Sequence, residues 1–198
     1  MRAAEQDRPD IAARRLAWPE KIAGLDLGRL VFIDESGAKT NMTRRYGRTF
    51  DGERLVDATP HGHWSTTTMI SAVRLTGQMA ALVIEGATDA AVFEAYVEQV
   101  LRPDLRPGDI VILDNLSAHK TAGVLDALEA SGAEVWFLPP YSPDLNPIEK
   151  MWSKIKAYLR KVEARTKETL LEAIAAALRT VTASDAFGWF ASCGYIQT

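Results

Sequence analysis

The chain has one cysteine, Cys193, in 198 residues. A single cysteine excludes an internal disulfide and a cysteine-based zinc cluster, which favours a reducing compartment. No apolar run approaches the ~20 residues of a membrane-spanning helix, and residues 1–8 lack the apolar stretch of a secretory signal. We therefore expect a cytoplasmic protein with no membrane partner, and the 47% hydrophobic composition is sufficient for one sizeable core.

An excess of positive charge is also missing, because 23 Lys and Arg face 26 Asp and Glu, for a net charge of −3. This average hides a local concentration, since residues 150–167 hold seven basic residues and one acidic residue. A run of like charge is most often a solvated helix face. A second basic group lies earlier in the chain and comprises Lys39, Arg44, Arg45 and Arg48. The run at 150–167 directly follows the acidic residue Glu149, and the second group follows Asp34. Basic residues beside two acids that are candidates for a functional site favour contact with a polyanion.

Three acidic residues stand at positions where side chains are presented to a ligand. Residues 31–34 read Val-Phe-Ile-Asp and residues 110–114 read Ile-Val-Ile-Leu-Asp. Such apolar runs predict strands covered on both faces that deliver Asp34 and Asp114 to one edge of a sheet. A third acid, Glu149, follows a proline-rich segment at the head of a predicted helix. Crowded carboxylates require a cation, and oxygen ligands suit Mg²⁺ or Mn²⁺, so a metal-dependent phosphoryl-transfer site is predicted.

Each acid also has a purely structural interpretation. Asp34 and Asp114 could be turn residues at strand ends, with Asp114 capping the next helix. Asn146 and Glu149 have the spacing of a capping box around Pro147. Glu35 should point away from Asp34, since successive strand residues face opposite sides, and is expected to be structural.

The order and spacing of these acids resemble a known family. Residues 115–148 separate Asp114 from Glu149, and residues 141–147 read Tyr-Ser-Pro-Asp-Leu-Asn-Pro. The stretch 39–48 and the tetrapeptide His-Gly-His-Trp at 61–64 belong to the same pattern. From about residue 9 to residue 195 the chain resembles DDE transposases of the mariner superfamily, in particular the bacterial insertion-sequence branch.

The resemblance implies an α/β protein of RNase H-like fold, with a central mixed five-stranded sheet flanked by helices and strands one and four adjacent. We expect an N-terminal helical segment at 1–25, kinked or split at Pro19, and a catalytic domain at 26–198 that together form a single domain. Further strands are predicted at 63–73, 78–85 and 135–138. Helices are predicted from a Thr88 cap to Leu101 and at 122–130, 146–163, 167–181 and 184–192.

For the site, the resemblance implies that Asp34, Asp114 and Glu149 hold two Mg²⁺ or Mn²⁺ ions. Asn115 is expected to hydrogen-bond a metal-bound carboxylate. His119 is expected to support the site similarly, to approach the scissile phosphate, or simply to cap or pack. The implied activity is cleavage of DNA at transposon ends and strand transfer into target DNA by a nucleoid-associated protein. The predicted DNA contacts are Lys39, Arg44, Arg45, Arg48, Lys154, Lys156, Arg160 and Lys161.

The implied partners are DNA and a second copy of the chain in a homodimer. No helix-turn-helix precedes the catalytic region, so an upstream DNA-binding partner or a frameshift-fused half is also expected. Two alternatives stay open. One is another RNase H-like nuclease, which the 141–149 segment disfavours, and the other is a catalytically idle regulatory fragment that pairs with a full-length transposase.

Overall fold

The computed structural model describes residues 3–44, 46–48, 52–54, 56, 58–62 and 64–196, so Arg45 and His63 lie outside the described residues. The strands are β1 (Leu30–Lys39), β2 (Thr66–Arg74), β3 (Gly77–Glu85), β4 (Ile110–Leu113) and β5 (Glu134–Phe137). The helices are α1 (Pro9–Ile22), α2 (Ala90–Tyr96), α3 (Ala122–Glu129), α4 (Pro147–Val162), α5 (Lys167–Arg179) and α6 (Ala183–Ser192).

The strands form one mixed sheet in the order β3-β2-β1-β4-β5. β1, β2 and β3 form an antiparallel meander, whereas β4 runs parallel to β1, and β5 runs parallel to β4. This arrangement confirms the predicted five-stranded mixed sheet and the adjacency of the first and fourth strands. The parallel pairing brings the carboxyl ends of β1 and β4 to the same edge, where open α/β sheets bind ligands.

The sheet is covered on both faces, which explains why its central strands are continuously apolar. Phe32 of β1 belongs to a core with α1, α4, α5 and α6, whereas Val31 and Ile33 belong to a core with α2 and α3. α4 buries one stripe against the first core because its apolar residues recur at helical spacing. That stripe consists of Ile148, Met151, Trp152, Ile155 and Leu159.

The structure corrects the predicted end of the first strand. β1 continues beyond Asp34 to Lys39, because its pairing with β2 extends from Phe32 opposite Val73 to Lys39 opposite Thr66. Only the parallel pairing with β4 stops, at Phe32. Asp34 therefore lies inside a strand, at the point where the β1–β4 ladder opens.

Two helix predictions are also corrected. α1 is not split at Pro19, because this proline lies in the last helical turn and its missing N–H removes only one backbone hydrogen bond near the end of the helix. α2 is capped by Asp89 rather than Thr88, since the Asp89 carboxylate accepts a hydrogen bond from the Val92 amide at 2.9 Å. The segment continues as a π-helical stretch, Val97–Leu101. Most other boundaries lie within about two residues of their predictions.

Cys193 is buried in the core beside α6. In the ranges given above, no helix combines the length and the apolar composition needed to cross a membrane.

Candidate active site

One cavity of about 500 Å³ lies at the edge of the sheet where the β1–β4 ladder opens. Asp34 from β1, Asp114 directly after β4, and Glu149 from the first turn of α4 all line it. A further wall is formed by the segment 138–146 that connects β5 to α4, of which residues 138–143 and Asn146 line the cavity. The three acids that the sequence singled out are thus brought together on one cavity.

Asp34 is the buried member of the three, with 9% of its surface exposed. Its Oδ1 accepts a hydrogen bond from the Glu35 amide at 2.8 Å. Burial, and then the negative charge of Glu149, raises the pKa of Asp34 to about 8. The free energy of ionising this side chain is therefore unfavourable at neutral pH, and a nearby cation would offset that cost.

A buried histidine connects Asp114 to Glu35. His119 Nε2 lies 2.9 Å from Glu35 Oε2, and His119 Nδ1 lies 2.7 Å from Asp114 Oδ1. The second contact is a close ion pair rather than an aligned hydrogen bond, since Nδ1 has no well-directed acceptor. The imidazole is fully buried and lies against the ring of Phe93, with the ring centroids 4.1 Å apart. His119 thus contacts Asp114 from the buried side and is not among the residues that line the cavity.

The two carboxylates determine the charge of this histidine. Burial opposes a charged imidazole, but the contacts with Asp114 and Glu35 outweigh it and raise the pKa of His119 to about 9. Burial also opposes the charge of Asp114, yet His119 and the Leu116 amide lower the pKa of that carboxyl. Asp114 is therefore held ionised, in contrast to Asp34.

Glu149 is not used as a helix cap. The Asn146 side chain makes no capping hydrogen bond to the first turn of α4, and only backbone atoms join the two residues, from the Glu149 amide to the Asn146 carbonyl at 3.2 Å. The capping-box interpretation is therefore wrong for this helix, and the Glu149 side chain is exposed to the cavity.

The wall that leads to Glu149 carries backbone strain. Tyr141 has φ of 57°, in the left-handed region that a bulky side chain rarely occupies, at a cost of about 1–3 kcal/mol. Asn115, predicted to support a carboxylate, instead donates from Nδ2 to the Leu138 carbonyl at 2.6 Å. Its Oδ1 accepts from Lys120 at 3.0 Å. The Asn115 side chain therefore links the loop after β4 to Leu138, the first residue of the segment 138–146.

Sequence reasoning missed the other residues that hold the wall. Arg15 of α1 donates to Ser142 and binds both carboxylate oxygens of Asp144, while Gln6 donates to the Tyr141 carbonyl. Tyr195 donates to the Leu145 carbonyl. These partners lie far apart along the chain, and no local pattern indicated them.

The predicted basic residues do not all lie together. Lys39, Lys156 and Arg160 line one cleft of about 420 Å³ with residues 41–43. Lys154 does not join them, because its ammonium binds the Thr180 carbonyl at 2.8 Å and Asp185 at 2.5 Å. Binding a phosphate would cost Lys154 these internal partners, so the structure argues against that predicted contact. Exposed positions are occupied by Arg44, Arg48 and Lys161.

The donor set at the cavity fits a hard divalent cation. Carboxylate oxygens are the ligands that Mg²⁺ and Mn²⁺ prefer, and the buried Oδ1 of Asn146 on the same wall has no hydrogen-bond partner. Among the residues that the structure describes, no three His, Cys, Asp or Glu side chains are gathered closely enough to form a metal cluster. Like charges keep carboxylates apart until a cation offsets their repulsion.

The raised pKa of Asp34 predicts a pH-dependent stability. A carboxyl whose pKa is about 8 in the folded chain and near 3.8 when unfolded stabilises the fold fully below pH 3.8 and loses that contribution as pH rises toward 8. In chelator, the melting temperature should fall between about pH 5 and pH 8 less steeply for Asp34→Asn than for the wild type.

His119 complicates the absolute values, since its raised pKa makes both proteins lose stability as pH rises through about 9. Only the difference between wild type and Asp34→Asn therefore reports on Asp34. If the melting temperatures of the two proteins change in parallel with pH across this range, Asp34 is not a buried carboxyl without a compensating charge.

Comparison with known proteins identifies the part of the chain that carries the three acids. Residues 29–171, which contain all three acids, match the family described as DDE superfamily endonuclease. The Tcb1 transposase of a transposable element from Caenorhabditis briggsae is 28% identical over 102 residues, which cover 50% of this chain and 37% of that protein.

The fold is shared with solved structures of the Mos1 mariner transposase. The Mos1 paired end complex with Mn superposes with a TM-score of 0.77 at 18% identity, covering 98% of this chain and 62% of that chain. The isolated Mos1 catalytic domain gives a TM-score of 0.73 at 16% identity, covering 98% of this chain and 91% of that one. This chain therefore spans less than two thirds of its longer relatives and matches the extent of a catalytic domain. The RNase H-like fold is confirmed, and the chain belongs to the DDE superfamily endonucleases.

Proposed function

We propose that this chain is the catalytic domain of a DNA transposase, which cleaves DNA phosphodiesters at transposon ends and transfers the cut strand into target DNA. The observation that carries the proposal is the convergence of Asp34, Asp114 and Glu149 on one cavity, in a chain of the DDE superfamily. The bacterial insertion-sequence branch remains our assignment from the residues at 39–48, 61–64 and 141–149.

Asp34, Asp114 and Glu149 would hold two Mg²⁺ or Mn²⁺ ions, and bound ions of this kind activate an attacking hydroxyl and neutralise a leaving oxygen. The surrounding residues prepare the site in defined ways. Asp114 is held ionised by His119, and the hydrogen bond that its Oδ1 accepts from the Leu116 amide at 2.9 Å fixes its orientation. The burial of Asp34 limits access of water to that carboxylate, and the wall at 138–146 limits the directions from which a DNA strand can enter.

In the reaction, an oxygen of water or of a DNA 3′-hydroxyl attacks the scissile phosphorus in line with the leaving oxygen. The phosphorus–oxygen bond to the attacking oxygen forms as the bond to the leaving DNA oxygen breaks. The attacking hydroxyl gives its proton to solvent, and the leaving oxygen takes up a proton from solvent. No covalent bond between protein and DNA is required.

We propose that DNA phosphates occupy the cleft lined by Lys39, Lys156 and Arg160. Positive side chains bind phosphates by displacing counterions, and Lys156 and Arg160 extend along α4 from the turn that carries Glu149. Exposed Arg44, Arg48 and Lys161 are available for further phosphate contacts. We also propose that the chain forms a homodimer. An upstream helix-turn-helix partner, or a frameshift-fused half, would recognise the DNA sequence.

The proposed function is tested by nicking of supercoiled DNA. We expect turnover with Mg²⁺ or Mn²⁺ and little with Ca²⁺, whose looser coordination fits the transition state poorly. Chelator should abolish nicking. Activity that persists in chelator would contradict the metal-dependent mechanism. A protein that pairs with a full-length transposase but does not itself nick DNA with any of these metals would support the idle-fragment alternative.

Replacing Lys156 and Arg160 with Gln should weaken binding to all DNA sequences alike. If both side chains contact phosphates, the slope of log affinity against log salt concentration should fall by about 0.9 for each lost contact. The apolar stripe of α4 is untouched, so the free energy of unfolding should change by no more than about 0.5 kcal/mol per substitution. Fluorescence anisotropy over a salt series measures the slope.

Lys154→Gln is the matched control, because Lys154 lies on the same helix but binds Thr180 and Asp185. It should lower thermal stability and leave the salt slope unchanged. A slope that responds to Lys154→Gln but not to the Lys156 and Arg160 substitutions would place the DNA on a different face of α4.

A further inference from the structure

The loop that leads into α4 is held by parts of the chain outside the region matched to the family. The matched residues are 29–171, whereas α1 and Tyr195 lie on either side of them. The loop, residues 139–146, forms a wall of the cavity and ends three residues before Glu149. Any displacement of the loop would therefore move the start of the helix that carries the third carboxylate.

Arg15 makes the most extensive of these contacts. Its guanidinium donates to Ser142 Oγ at 2.6 Å and binds Asp144 in a bidentate pair, at 3.0 Å to Oδ1 and 2.6 Å to Oδ2. The Arg15 side chain is 21% exposed and that of Asp144 is 53% exposed, so Arg15 is shielded while solvent still screens the pair from the Asp144 side. Arg15 in turn keeps the pKa of Asp144 below its usual range. A planar bidentate pair of this kind fixes orientation as well as distance.

Two further contacts act on the same loop. Trp18 Nε1 donates to the Tyr195 hydroxyl at 3.0 Å, and that hydroxyl donates to the Leu145 carbonyl at 2.7 Å. Gln6 donates to the Tyr141 carbonyl at 2.6 Å. The N-terminal segment therefore contacts Tyr141, Ser142 and Asp144 directly, and it reaches Leu145 only through Tyr195.

The strained residue lies within this clamped stretch. Left-handed backbone at a tyrosine persists only where the surroundings hold it in place, and Tyr141 is held through its carbonyl by Gln6 and at the next residue by Arg15. Without these contacts the loop would relax toward an unstrained path. The cavity wall, and the first turn of α4 with it, would then lose its fixed position.

We propose that Arg15 is a positioning residue for the reaction, which acts through Ser142 and Asp144 to hold the 139–146 loop and thereby the Glu149 carboxylate at the cavity. The proposal rests on the proposed function, because it assigns Glu149 a role in catalysis. The proposal gives the N-terminal helix a role in positioning the active site as well as in the fold. Catalytic groups displaced by about 1 Å lose much of their effect, so the helix contributes to rate without touching DNA.

Hydrogen exchange gives a test that does not depend on activity. The Leu145 amide donates to Ser142 and the Asn146 amide to Pro143, so both report on the loop. In Arg15→Ala these amides should exchange about tenfold faster or more, because a hydrogen bond to a charged group is lost. Amides of β1 should be unaffected. Asp144→Ala should reproduce the effect, and the double variant should add little to either single change.

The same variants are then assayed for nicking with Mg²⁺. Arg15→Ala should lower kcat about tenfold with KM within about twofold of wild type, and Arg15→Lys should recover part of the loss, since it keeps the charge but not the bidentate geometry. Arg8→Ala is the control, because it removes the exposed Arg8–Asp10 pair beside the same helix and should change neither readout.

The outcomes separate the two proposals. Faster loop exchange in Arg15→Ala with unchanged kcat would overturn the positioning role while the proposed function stands. Unchanged amide exchange at Leu145 and Asn146 in Arg15→Ala would mean that Arg15 does not hold the loop in place. A wild-type protein that does not nick DNA, but whose loop still loosens in Arg15→Ala, would instead contradict the proposed function and with it the catalytic role of the clamp.

Discussion

Replacing Asp34, Asp114 or Glu149 with alanine is expected to reduce metal-dependent DNA nicking at least about a thousandfold, equivalent to about 4 kcal/mol of transition-state stabilisation. Each acid lines the same cavity, and none can substitute for another because they approach from three different elements. Single-turnover nicking of supercoiled DNA measures the loss. Near wild-type nicking in any one of the variants would remove that residue from the mechanism.

Stability separates a catalytic loss from a folding failure. Removing Asp34 relieves a buried carboxylate whose pKa is raised by burial and by Glu149, so the melting temperature in chelator should stay level or rise. Glu149 makes no capping hydrogen bond with the Asn146 side chain, so its removal should leave α4 intact. Glu129→Gln, at an exposed site on α3, is the matched control and should leave both nicking and stability unchanged.

Asp109→Ala is expected to destabilise the fold by about 3–5 kcal/mol, because it leaves the Arg74 guanidinium buried without its partner. Arg74 Nη2 binds Asp109 Oδ2 at 2.8 Å, and the two side chains are 8% and 3% exposed. The Arg106 amide also donates to Asp109. Thermal unfolding followed by circular dichroism should show a decrease of about 10 °C in the melting temperature.

A paired substitution tests the cause. Arg74→Met together with Asp109→Leu removes both charges and should cost less than Asp109→Ala alone, since no charge is then left unpaired. Glu85→Gln removes the exposed Lys167–Glu85 pair and should have little effect on the melting temperature. If Asp109→Ala is no worse than Glu85→Gln, the buried Arg74–Asp109 pair does not stabilise the fold.

The features that could be predicted from the sequence are those set by local pattern. The apolar runs before Asp34 and Asp114 predicted two buried strands, whereas the adjacency of these strands was implied by the family resemblance. Asp34 and Asp114 could be placed because each directly follows an apolar run, and Glu149 because it follows the proline-rich segment at the head of a predicted helix. Asp89 and Thr88 both suit a helix cap, and residue type alone does not decide between neighbours.

The features that could not be predicted depend on residues distant in the chain. Glu35 and His119 are 84 residues apart, and Arg15 and Asp144 are 129 residues apart. Neither pair has a periodic or spacing signal, because tertiary packing alone brings the partners together. The extension of β1 past Asp34 likewise depends on its pairing with β2, which a single strand pattern does not reveal.

The parallel pairing of β1 with β4 also constrains when the cavity can form. β1 ends at Lys39 and its parallel partner begins at Ile110, so the intervening chain must be synthesised before the two aspartates can meet. Glu149 and the Tyr195 contact to its loop come later still. Contacts between such distant segments form slowly and late in folding. A nascent chain on the ribosome therefore carries β1 and Asp34 long before it carries a complete set of acids, and any ability to cut DNA is confined to the finished domain.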